Sequence, residues 1–543
     1  MFAISSGVGR RLLTSCGGMT LAVVGMGPTG VSFVWHLIDQ LHEERPDRPI
    51  RLTIIDPSKE AGAGFAFDSM DRLNMRADRL SIDPRAPTEF VDWLRGGRHQ
   101  RHYADLEYPP RLLFGQYLRD RFDAAVASAD PARVTVEHWR TTAVDLERLD
   151  GAFRVTDVRG GTRTFSTVVL ATGESRYGAL SHHAGRPNFI GSLRETRRID
   201  DVPPDAHVGI VGSSLTAVDV CVRLLGHGHR GAISCFSRTR GLPKVQGATH
   251  LHQPALLGPE WLRRVTRSGS RRIPLRAVAR AVEHGLNARA SGPYQPGMPD
   301  PREWFSREGR ARRREQDENQ IFRNAVAAAE NSRTAWYYAL DSLSPGTPAI
   351  WNAIAEPDQL LFLARCRAGW NEYRHSMPLV NARVLLPAVV SGQLTVRTGF
   401  RAVSPTGPIG RRRWRIATRR DAADQVSDVL VDATGGQPLI ACQRDRLLAA
   451  AIRRGLLVVD PRGGIRVTFD TCRVVTASDG PCPDLHLVGP MTFGTHFYTN
   501  SFETNRDNAS RVARDIRARL GGARREFVTT TPGDRSHHAA GGS

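Results

Sequence analysis

A glycine-rich turn near the start of the chain constrains the fold more than any other feature. The apolar run LAVV leads into a helix-like run, VSFVWHLIDQL, through the residues Gly25, Met26, Gly27, Pro28, Thr29 and Gly30. At this G-x-G-x-x-G spacing the first glycine permits a sharp bend, the second lets the backbone approach a pyrophosphate, and the third lets helix and strand pack closely. The pattern predicts a dinucleotide-binding turn with the phosphates at the helix N-terminus.

The next apolar strand supports this interpretation. Residues 51–55 read RLTII, and the strand ends at Asp56. A carboxylate at a strand end of this kind accepts hydrogen bonds from a ribose diol, typically about 20 residues after the turn. Asp56 comes later because the loop HEERPDRP lengthens the connection. A loop with incidental glycines is the alternative, and it explains the order of strand, turn, helix, strand and acid less well.

A second turn of the same type lies in residues 206–220, AHVGIVGSSLTAVDV. Its first glycine is Gly212, and Ser214 and Ala217 stand in the places of the other two glycines. Small residues still allow a close approach of the backbone to a phosphate. The segment therefore predicts a second nucleotide site.

The strand after the second turn, residues 232–236, ends differently from the first. It continues into Ser237 and Arg238, followed by Thr239 and Arg240, and not into an acid. Serine and arginine suit a 2′-phosphate, which an acid would repel. We therefore predict a plain adenosine ribose beside Asp56 and NADPH at the second turn. The alternative is an exposed arginine pair without a ligand.

Two further strands share one ending. Residues 167–173 read TVVLATG and residues 429–435 read VLVDATG. Threonine and glycine permit tight crossing of backbones near the junction of two nucleotide domains. Finding two such strands on either side of a second nucleotide turn favours a paired-domain architecture.

The C-terminal region adds a last strand and a last helix. Residues 485–488 form an apolar strand that ends at Gly489, where a phosphate or ribityl chain could approach the backbone. A helix is predicted from about Asn500 or Ser501 to about residue 520, with Glu503 in its first turn. The positive end of its dipole would face an electron-rich flavin carbonyl.

This ordered set resembles the two-dinucleotide-binding flavoproteins. More narrowly, the chain is similar to a bacterial family labelled FAD-NAD(P)-binding protein, which is related to the flavin monooxygenases, including amino-acid N-hydroxylases. The resemblance covers nearly the whole chain from Met19 to about Leu520. It is carried by the two turns and by LNMRADRLSIDPRAPTEFVDWL, YPPRLLFGQYLRD, GSSLTAVDV and FLARCRAGWNEYRHSMP.

The resemblance implies an α/β fold with two Rossmann-like dinucleotide-binding domains, in which the NADPH domain is inserted in a discontinuous FAD domain. The expected division is a disordered or mis-called start (1–18), the first part of the FAD domain (19–200), the NADPH domain with a partly helical insert (201–375), the second part of the FAD domain (376–520) and a disordered tail (521–543).

The motifs and the resemblance together imply two sets of cofactor ligands. FAD would contact Gly25, Gly27, Pro28, Thr29, Gly30, Asp56, Asn74, Gly173, Gly489 and Asn500. NADPH would contact Gly212, Ser213, Ser214, Thr216, Ser237 and Arg238. One departure concerns the substrate side: the family often has Trp-Glu after Gly-Thr, whereas here Gly494-Thr495 leads to HFY.

The resemblance implies a monooxygenase that uses NADPH and oxygen to hydroxylate a small, carboxylate-bearing substrate, such as an amino acid, through a C4a-hydroperoxyflavin. A disulfide reductase would need a proximal cysteine pair, and the seven cysteines are dispersed. A Baeyer–Villiger enzyme would need a signature histidine near Thr196, after the FIGSLR segment (189–194). A flavin reductase without oxygen insertion and a non-catalytic flavin-binding sensor remain open.

Residues 242–378 are the least conventional part of the chain. They are first rich in proline, glycine and arginine and then helical in pattern, and we interpret them as an insert that caps the flavin pocket. Trp370, Tyr373, Arg374 and His375 are candidate pocket residues, and Arg374 would bind a substrate carboxylate. The alternative is core packing of Trp370 and Tyr373 at i, i+3 spacing. Catalytic candidates beside the flavin are Asn74, Arg374 and His375.

Composition limits the partners. The 543 residues are enough for several domains, and the net charge of +20 comes from arginines spread along the chain, without a nucleic-acid motif. No apolar run approaches the roughly 20 residues of a membrane helix. No metal-ligand spacing is present, and the dispersed cysteines favour a cytoplasmic protein with reduced thiols. We expect a small-molecule substrate and oxygen as partners, without nucleic acid or membrane, and leave a homo-oligomer open.

Overall fold

The computed structural model describes residues 18–43, 48–97, 101–175, 177–191, 195–247, 257–266, 272–289, 300–304, 307–408 and 412–520. Its strands are β1 Met19–Val24, β2 Ile50–Ile55, β3 Val134–Trp139, β4 Ala143–Leu149, β5 Ala152–Asp157, β6 Thr162–Phe165, β7 Thr167–Leu170, β8 Phe189–Ile190, β9 Val208–Val211, β10 Ile233–Ser237, β11 Leu394–Thr398, β12 Phe400–Thr406, β13 Arg413–Thr418, β14 Gln425–Ser427, β15 Val429–Asp432, β16 Arg473–Thr476 and β17 Gly480–Leu487.

The helices alternate with these strands. They are α1 Pro28–Glu43, α2 Glu89–Gly96, α3 Arg111–Ser128, α4 Thr196–Asp200, α5 Leu215–Gly226, α6 Pro259–Thr266, α7 Leu275–Arg289, α8 Arg307–Glu315, α9 Glu318–Glu330, α10 Ala335–Asp341, α11 Thr347–Ala353, α12 Glu356–Arg365, α13 Arg367–Arg374, α14 Leu379–Val390, α15 Pro438–Arg444, α16 Arg446–Arg453, α17 Phe493–His496 and α18 Phe502–Leu520.

The first sheet carries the first glycine turn. Its order is β16-β17-β7-β1-β2-β3, and every pairing is parallel except that between β16 and β17. The central strands are apolar along their length because both faces are covered, as parallel sheets require. Helices α1, α3 and α18 pack on one face, and the small sheet β4-β5-β6 with α15 and α16 covers the other.

The second sheet carries the second glycine turn. Its order is β11-β10-β9-β15-β8, with parallel pairing throughout. Helices α5, α9 and α14 cover one face, and the antiparallel sheet β12-β13-β14 lies against the other. The two Rossmann-like sheets confirm the predicted α/β fold class.

The second sheet extends further along the chain than the expected NADPH domain. It takes β8 from before residue 201 and takes β11 and β15 from after residue 375. The expected domain boundary at 375/376 therefore differs from the extent of the second sheet, whose last strand along the chain, β15, ends at Asp432. The hydrophobic pattern of residues 394–432 shows strands, but it does not show which of two similar sheets they join.

The two ATG segments run side by side where the chain passes between the sheets. The Gly436 N–H donates to the Glu174 carboxylate (3.3 Å), and a Cβ at Gly436 would lie 2.5 Å from the Ser175 carbonyl oxygen. The Ala179 N–H donates to Thr434 Oγ1 (2.8 Å). The prediction that these strands end at the junction of the two units is confirmed.

The insert forms its own aromatic core. Trp304, Trp336, Trp351, Trp370 and Tyr373 are all buried there. The ring of Trp370 packs edge-on against Trp304 at 5.3 Å, and Tyr373 against Trp336 at 5.1 Å. Trp370 and Tyr373 are therefore core residues of the insert, as the alternative interpretation of their spacing proposed.

Several sequence-based expectations lie outside the described residues. They concern nearly all of the expected start (1–17), the tail (521–543), parts of the insert (248–256, 267–271, 290–299 and 305–306), and residues 192–194 of the FIGSLR segment. None of the described helices combines the length and apolar character needed to cross a bilayer.

Candidate cofactor and substrate site

The first glycine turn has the geometry of a phosphate cradle. Gly25 adopts φ +107°, and a Cβ there would lie 2.9 Å from the Ala171 carbonyl carbon. A Cβ at Gly30 would lie 3.0 Å from the Gly25 carbonyl carbon. At Gly27, among the described residues, a Cβ would have Gly64 Cα alone within 4 Å, at 3.6 Å. Gly25 and Gly30 are therefore required by the fold itself, whereas the open space at Gly27 is where a pyrophosphate would approach.

Helix α1 begins directly at this cradle. Pro28 is its first residue and Thr29 is buried in its first turn. Gly64, from the loop after β2, packs against Pro28 and Gly27, since a Cβ at Gly64 would lie 2.9 Å from Pro28 Cδ. The sequence analysis missed the contribution of this AGAGF loop, although its paired glycines were a visible signal.

Asp56 lies at the end of β2 beside the turn, as predicted. Its Oδ2 accepts a hydrogen bond from the Met26 N–H (2.8 Å) and its Oδ1 from the Ser58 N–H (2.8 Å). A carboxylate has about four acceptor positions, so both oxygens can still accept bonds from a ribose diol. The same contacts fix the turn to β2, so Asp56 also has a structural role.

Gly489 brings the end of β17 to the first turn. It adopts φ +99°, and a Cβ at Gly489 would lie 3.4 Å from Thr29 Oγ1. Gly173, after β7, adopts φ +75° with open space around it. Three strand ends therefore meet around the N-terminus of α1. Their backbones, not their side chains, form the surface that would receive the FAD diphosphate.

The last helix begins close to its predicted start. Helix α18 starts at Phe502, and the Thr504 N–H lies 3.4 Å from Ser501 Oγ, which makes Ser501 the capping side chain. Asn500 is exposed just before it. Asn500 is therefore available to a ligand, whereas Ser501 serves the helix.

The second turn repeats the geometry of the first. Gly212 adopts φ +123°, and a Cβ there would lie 2.5 Å from the Ala433 carbonyl carbon. Ser214 is exposed at the N-cap of α5 without a side-chain capping bond, and Thr216 lies half-buried in the first turn. Each turn is thus crossed by the alanine that follows β7 or β15, which is Ala171 at the first turn and Ala433 at the second. Each turn also leaves its middle position, Gly27 or Ser214, open.

The serines and arginines around the end of β10 have two different roles. The hydroxyls of Ser213 (3.0 Å) and Ser237 both donate to the backbone carbonyl of Arg240. The Arg240 guanidinium points into the protein, where it binds Glu303 (3.0 Å) and Glu372 (3.1 Å). Arg238, in contrast, is exposed. The sequence could not distinguish the two arginines, because the acidic partners of Arg240 lie far along the chain.

Asn74 lies where an ordered polar chain joins the two units. Its backbone carbonyl accepts a bond from Gln246 Nε2 (3.3 Å), which also donates to the Ser376 carbonyl (2.8 Å). Gln246 Oε1 accepts a bond from the Tyr108 hydroxyl (2.6 Å). The side-chain oxygen of Asn74 is buried and has no hydrogen-bond partner among the residues described. A buried acceptor of this kind requires a donor, and the flavin or a substrate could supply it.

Arg374 and His375 lie together at the end of α13. The Arg374 guanidinium lies 4.6 Å above the Tyr498 ring, donates to Ser344 Oγ, and lies 3.7 Å from the Asp341 carboxylate. The His375 ring lies 5.7 Å from Tyr498. Burial, with Arg374 and Arg367 nearby, lowers the pKa of His375 to about 4. His375 is therefore neutral at physiological pH.

A charged cluster surrounds Arg374, and the sequence analysis did not find it as a unit. Arg79 forms ion pairs with Asp341 and with Glu503 (3.7 Å). Arg79, Asp341 and Glu503 come from three distant parts of the chain, so no local pattern joins them. The Glu503 side chain is 24% exposed, yet burial raises its pKa above the usual range. Arg79 (30%), Asp341 (24%) and Glu503 (24%) are thus partly exposed, so a small molecule can reach this group, which with Arg374 is called the recess below.

The described residues include no group of three or more histidine, cysteine, aspartate or glutamate side chains placed to hold a metal ion.

Two glycine turns, each crossed by an ATG strand, and a final glycine beside the first turn define a two-dinucleotide-binding flavoprotein fold. Ornithine hydroxylase (PvdA) from Pseudomonas aeruginosa, in its reduced form, has a similar fold. The TM-score is 0.56 at 14% identity, over 93% of this chain and 100% of that chain.

Residues 22–175 match a family model described as FAD-NAD(P)-binding. This part of the chain is therefore a FAD-NAD(P)-binding domain, and the predicted resemblance and cofactor class are confirmed. The cradles at Gly27 and Gly212, Asp56 and the unsatisfied oxygen of Asn74 fit such cofactors.

Two curated relatives match part of the chain. The protein YdhS of Escherichia coli, which is uncharacterized, is 28% identical over 225 residues, or 38% of this chain and 40% of YdhS. L-aspartate N-monooxygenase (nitrosuccinate-forming) of Streptomyces davaonensis is 30% identical over 268 residues, or 41% of this chain and 40% of that enzyme. The matched part spans about two fifths of the length of these relatives.

Proposed function

We propose that the protein is an FAD- and NADPH-dependent monooxygenase that hydroxylates a small, carboxylate-bearing substrate. The observation that carries this proposal is the recess formed by Arg79, Asp341, Arg374 and Glu503. Two guanidinium and two carboxylate groups in one recess can bind a small molecule that carries both charges, such as an amino acid. The similarity to an L-aspartate N-monooxygenase is consistent with that substrate class.

The side chains of the recess would orient the substrate. Arg374 has only 8% of its side chain exposed and is held by Ser344 and the Tyr498 ring, so its guanidinium is fixed before the substrate arrives. Arg79 is more exposed and shares its acidic partners. The substrate carboxylate would therefore compete with Asp341 and Glu503 for Arg79, while Arg374 keeps its position.

The cofactors would supply the redox chemistry, taking reducing equivalents from NADPH and activating oxygen. The protein contributes binding, orientation and exclusion of water. Asn74 would donate or accept a hydrogen bond where the two units meet, and His375 would remain neutral beside the recess because of its low pKa. We add Arg79 and Glu503 to the candidates proposed from the sequence, which are Asn74, Arg374 and His375.

The proposal is tested by oxygen-isotope labelling. Purified FAD-loaded protein is supplied with NADPH, ¹⁸O₂ and a panel of amino acids, amines and aromatic acids, and products are analysed by mass spectrometry beside peroxide release. We expect one ¹⁸O atom in the product of a carboxylate-bearing substrate. NADPH oxidation that yields only peroxide with every compound would instead support a flavin reductase without oxygen insertion. Absence of NADPH oxidation would support a flavin-binding sensor.

The recess has a specific test. Arg79→Gln should raise the KM for the substrate about ten-fold or more, since one charge-assisted hydrogen bond contributes about 1.5–3 kcal/mol, and should leave flavin content unchanged. The matched control is Arg95→Gln, because Arg95 is an exposed arginine on α2, outside the recess. An unchanged KM in Arg79→Gln would contradict this assignment of the recess.

A further inference from the structure

A buried ion network fixes the loop that follows β10. Glu372 binds Arg240 (3.1 Å), Lys244 (3.3 Å) and Arg313 (2.7 Å). Glu303 and Glu318 complete the group, so three bases face three acids and the network is neutral. Arg240 is thus fully engaged, and its carbonyl holds the hydroxyls of Ser213 and Ser237 in place.

Helix α13 begins directly against this loop. A Cβ at Gly369 would lie 3.2 Å from Arg240 Nη2, so the first turn of α13 touches the Arg240 side chain. Arg367 precedes Gly369 by two residues, and Arg238 precedes Arg240 by two residues. Helix α13 therefore packs against the Arg240 side chain, and Arg367 lies close enough to Arg238 for the two charges to interact.

Arg238 and Arg367 lack the acidic partners that neutralise Arg240. Within the described part of the chain, neither guanidinium forms an ion pair with a carboxylate. Arg367 is half-buried and lies 5.9 Å from the Phe493 ring centroid, a contact that orients the side chain without cancelling its charge. Burial is the larger cause and the neighbouring Arg238 charge the smaller one that lower the pKa of Arg367.

We propose that Arg367, supplied by the insert, acts with Arg238 as a second ligand of the 2′-phosphate of NADPH, and that Arg240 positions the loop between them without touching the phosphate. A phosphate monoester carries a charge of about −1.5 to −2 at neutral pH, which matches two guanidinium groups. Planar guanidinium groups also bind phosphate oxygens through paired hydrogen bonds. This inference rests on the proposed use of NADPH and makes Arg367 a specificity-determining residue.

Nucleotide binding tests the inference without turnover. Dissociation constants of 2′,5′-ADP and 5′-AMP are measured by calorimetry on the FAD-loaded wild-type protein and on Arg367→Gln. We expect Arg367→Gln to weaken 2′,5′-ADP about ten-fold or more and to change 5′-AMP less than two-fold, because only the first carries the 2′-phosphate. Arg365→Gln is the matched control, since it removes an exposed arginine two residues away and should change neither constant.

The outcomes distinguish the inference from the proposed function. If the wild type binds both nucleotides equally, the assignment of NADPH fails, and this inference fails with it. If the wild type prefers 2′,5′-ADP and Arg367→Gln keeps the full preference, only the role of Arg367 is overturned. Arg367→Met retains an unbranched side chain to pack on Phe493 and provides the same test should the glutamine variant lower the melting temperature. Equal losses in Arg365→Gln would indicate general electrostatics and would also overturn the assignment.

Discussion

Alanine substitutions in the first glycine turn should separate the demands of the fold from those of the cofactor. Gly25 has a positive φ and faces the Ala171 carbonyl, so Gly25→Ala introduces both backbone strain and a steric clash. A left-handed backbone costs about 1–2 kcal/mol for an L-residue, and overpacking against backbone about 1–3 kcal/mol. We therefore expect the free energy of unfolding of the cofactor-free protein to fall by about 2–5 kcal/mol.

Gly27→Ala should behave in the opposite way. A Cβ at Gly27 would meet only Gly64 Cα at 3.6 Å, an ordinary contact, and the backbone is not in the left-handed region. The cofactor-free protein should keep its free energy of unfolding within about 0.5 kcal/mol. The added methyl group would occupy the approach of the pyrophosphate, so the dissociation constant of FAD should rise at least about ten-fold, or 1.4 kcal/mol.

The measurements are urea unfolding of the cofactor-free protein, followed by tryptophan fluorescence, and FAD titration of each variant. Gly96→Ala is the matched control, because a Cβ at Gly96 would meet no atom of the described residues within 4 Å. It should leave both quantities unchanged. Wild-type FAD affinity in Gly27→Ala would refute the assignment of the cradle, and wild-type unfolding in Gly25→Ala would refute the crossing of the two strands.

Two further predictions concern buried charges. Glu372→Gln removes the acid shared by three bases, so the free energy of unfolding should fall by about 3–5 kcal/mol. The control is Glu330→Gln at an exposed pair with Arg383, which should cost about 0–1 kcal/mol. Equal effects of the two substitutions in urea unfolding would contradict the network. The pKa of His496 is lowered to about 4 by burial, against about 6.5 unfolded. The folded state therefore binds fewer protons, and the stabilisation present above pH 6.5 is lost toward pH 4, at about 1.4 kcal/mol per pH unit. In urea unfolding, the free energy of unfolding of the wild type should therefore fall relative to that of His496→Gln between pH 6.5 and pH 5.5. A difference between the two proteins that does not change with pH would contradict the lowered pKa of His496.

The glycine turns could be predicted because their requirements are local. The backbone needs a positive φ at Gly25 and Gly212 and a close crossing at Gly30. These requirements place glycines at a fixed spacing that can be recognised in the sequence. The strands before and after each turn are short apolar runs, and β1, β2, β9 and β10 lie within one or two residues of their expected positions. The start of α18 was also readable, because a serine cap and an acid in the first turn mark a helix start.

Contacts between distant segments could not be predicted in this way. Cys221 and Cys235 appear dispersed in the sequence, yet their sulfur atoms lie 3.7 Å apart in the core of the second unit. The neighbouring Cys235 thiol, together with burial, holds the pKa of Cys221 well above its usual range, and both side chains are fully buried. The recess around Arg79 was missed for the same reason, since its members meet only in the folded chain.

The insert is bonded firmly to the second unit and does not have the loose attachment of a detachable lid. The Lys244 N–H donates to the Glu372 carbonyl (2.8 Å), and Val245 pairs with Met377 as in a parallel sheet. Lifting α13 would break these bonds and expose the neutral network around Glu372, at a cost of several kcal/mol because each separated charge would lose its partner. Helix α13 carries Arg367 at its start and Arg374 at its end, so in the proposed roles of these residues this attachment would fix the spacing between the nucleotide phosphate and the substrate carboxylate. Any opening needed for substrate entry must therefore come from other segments, and a change at Glu372 should disturb both sites together.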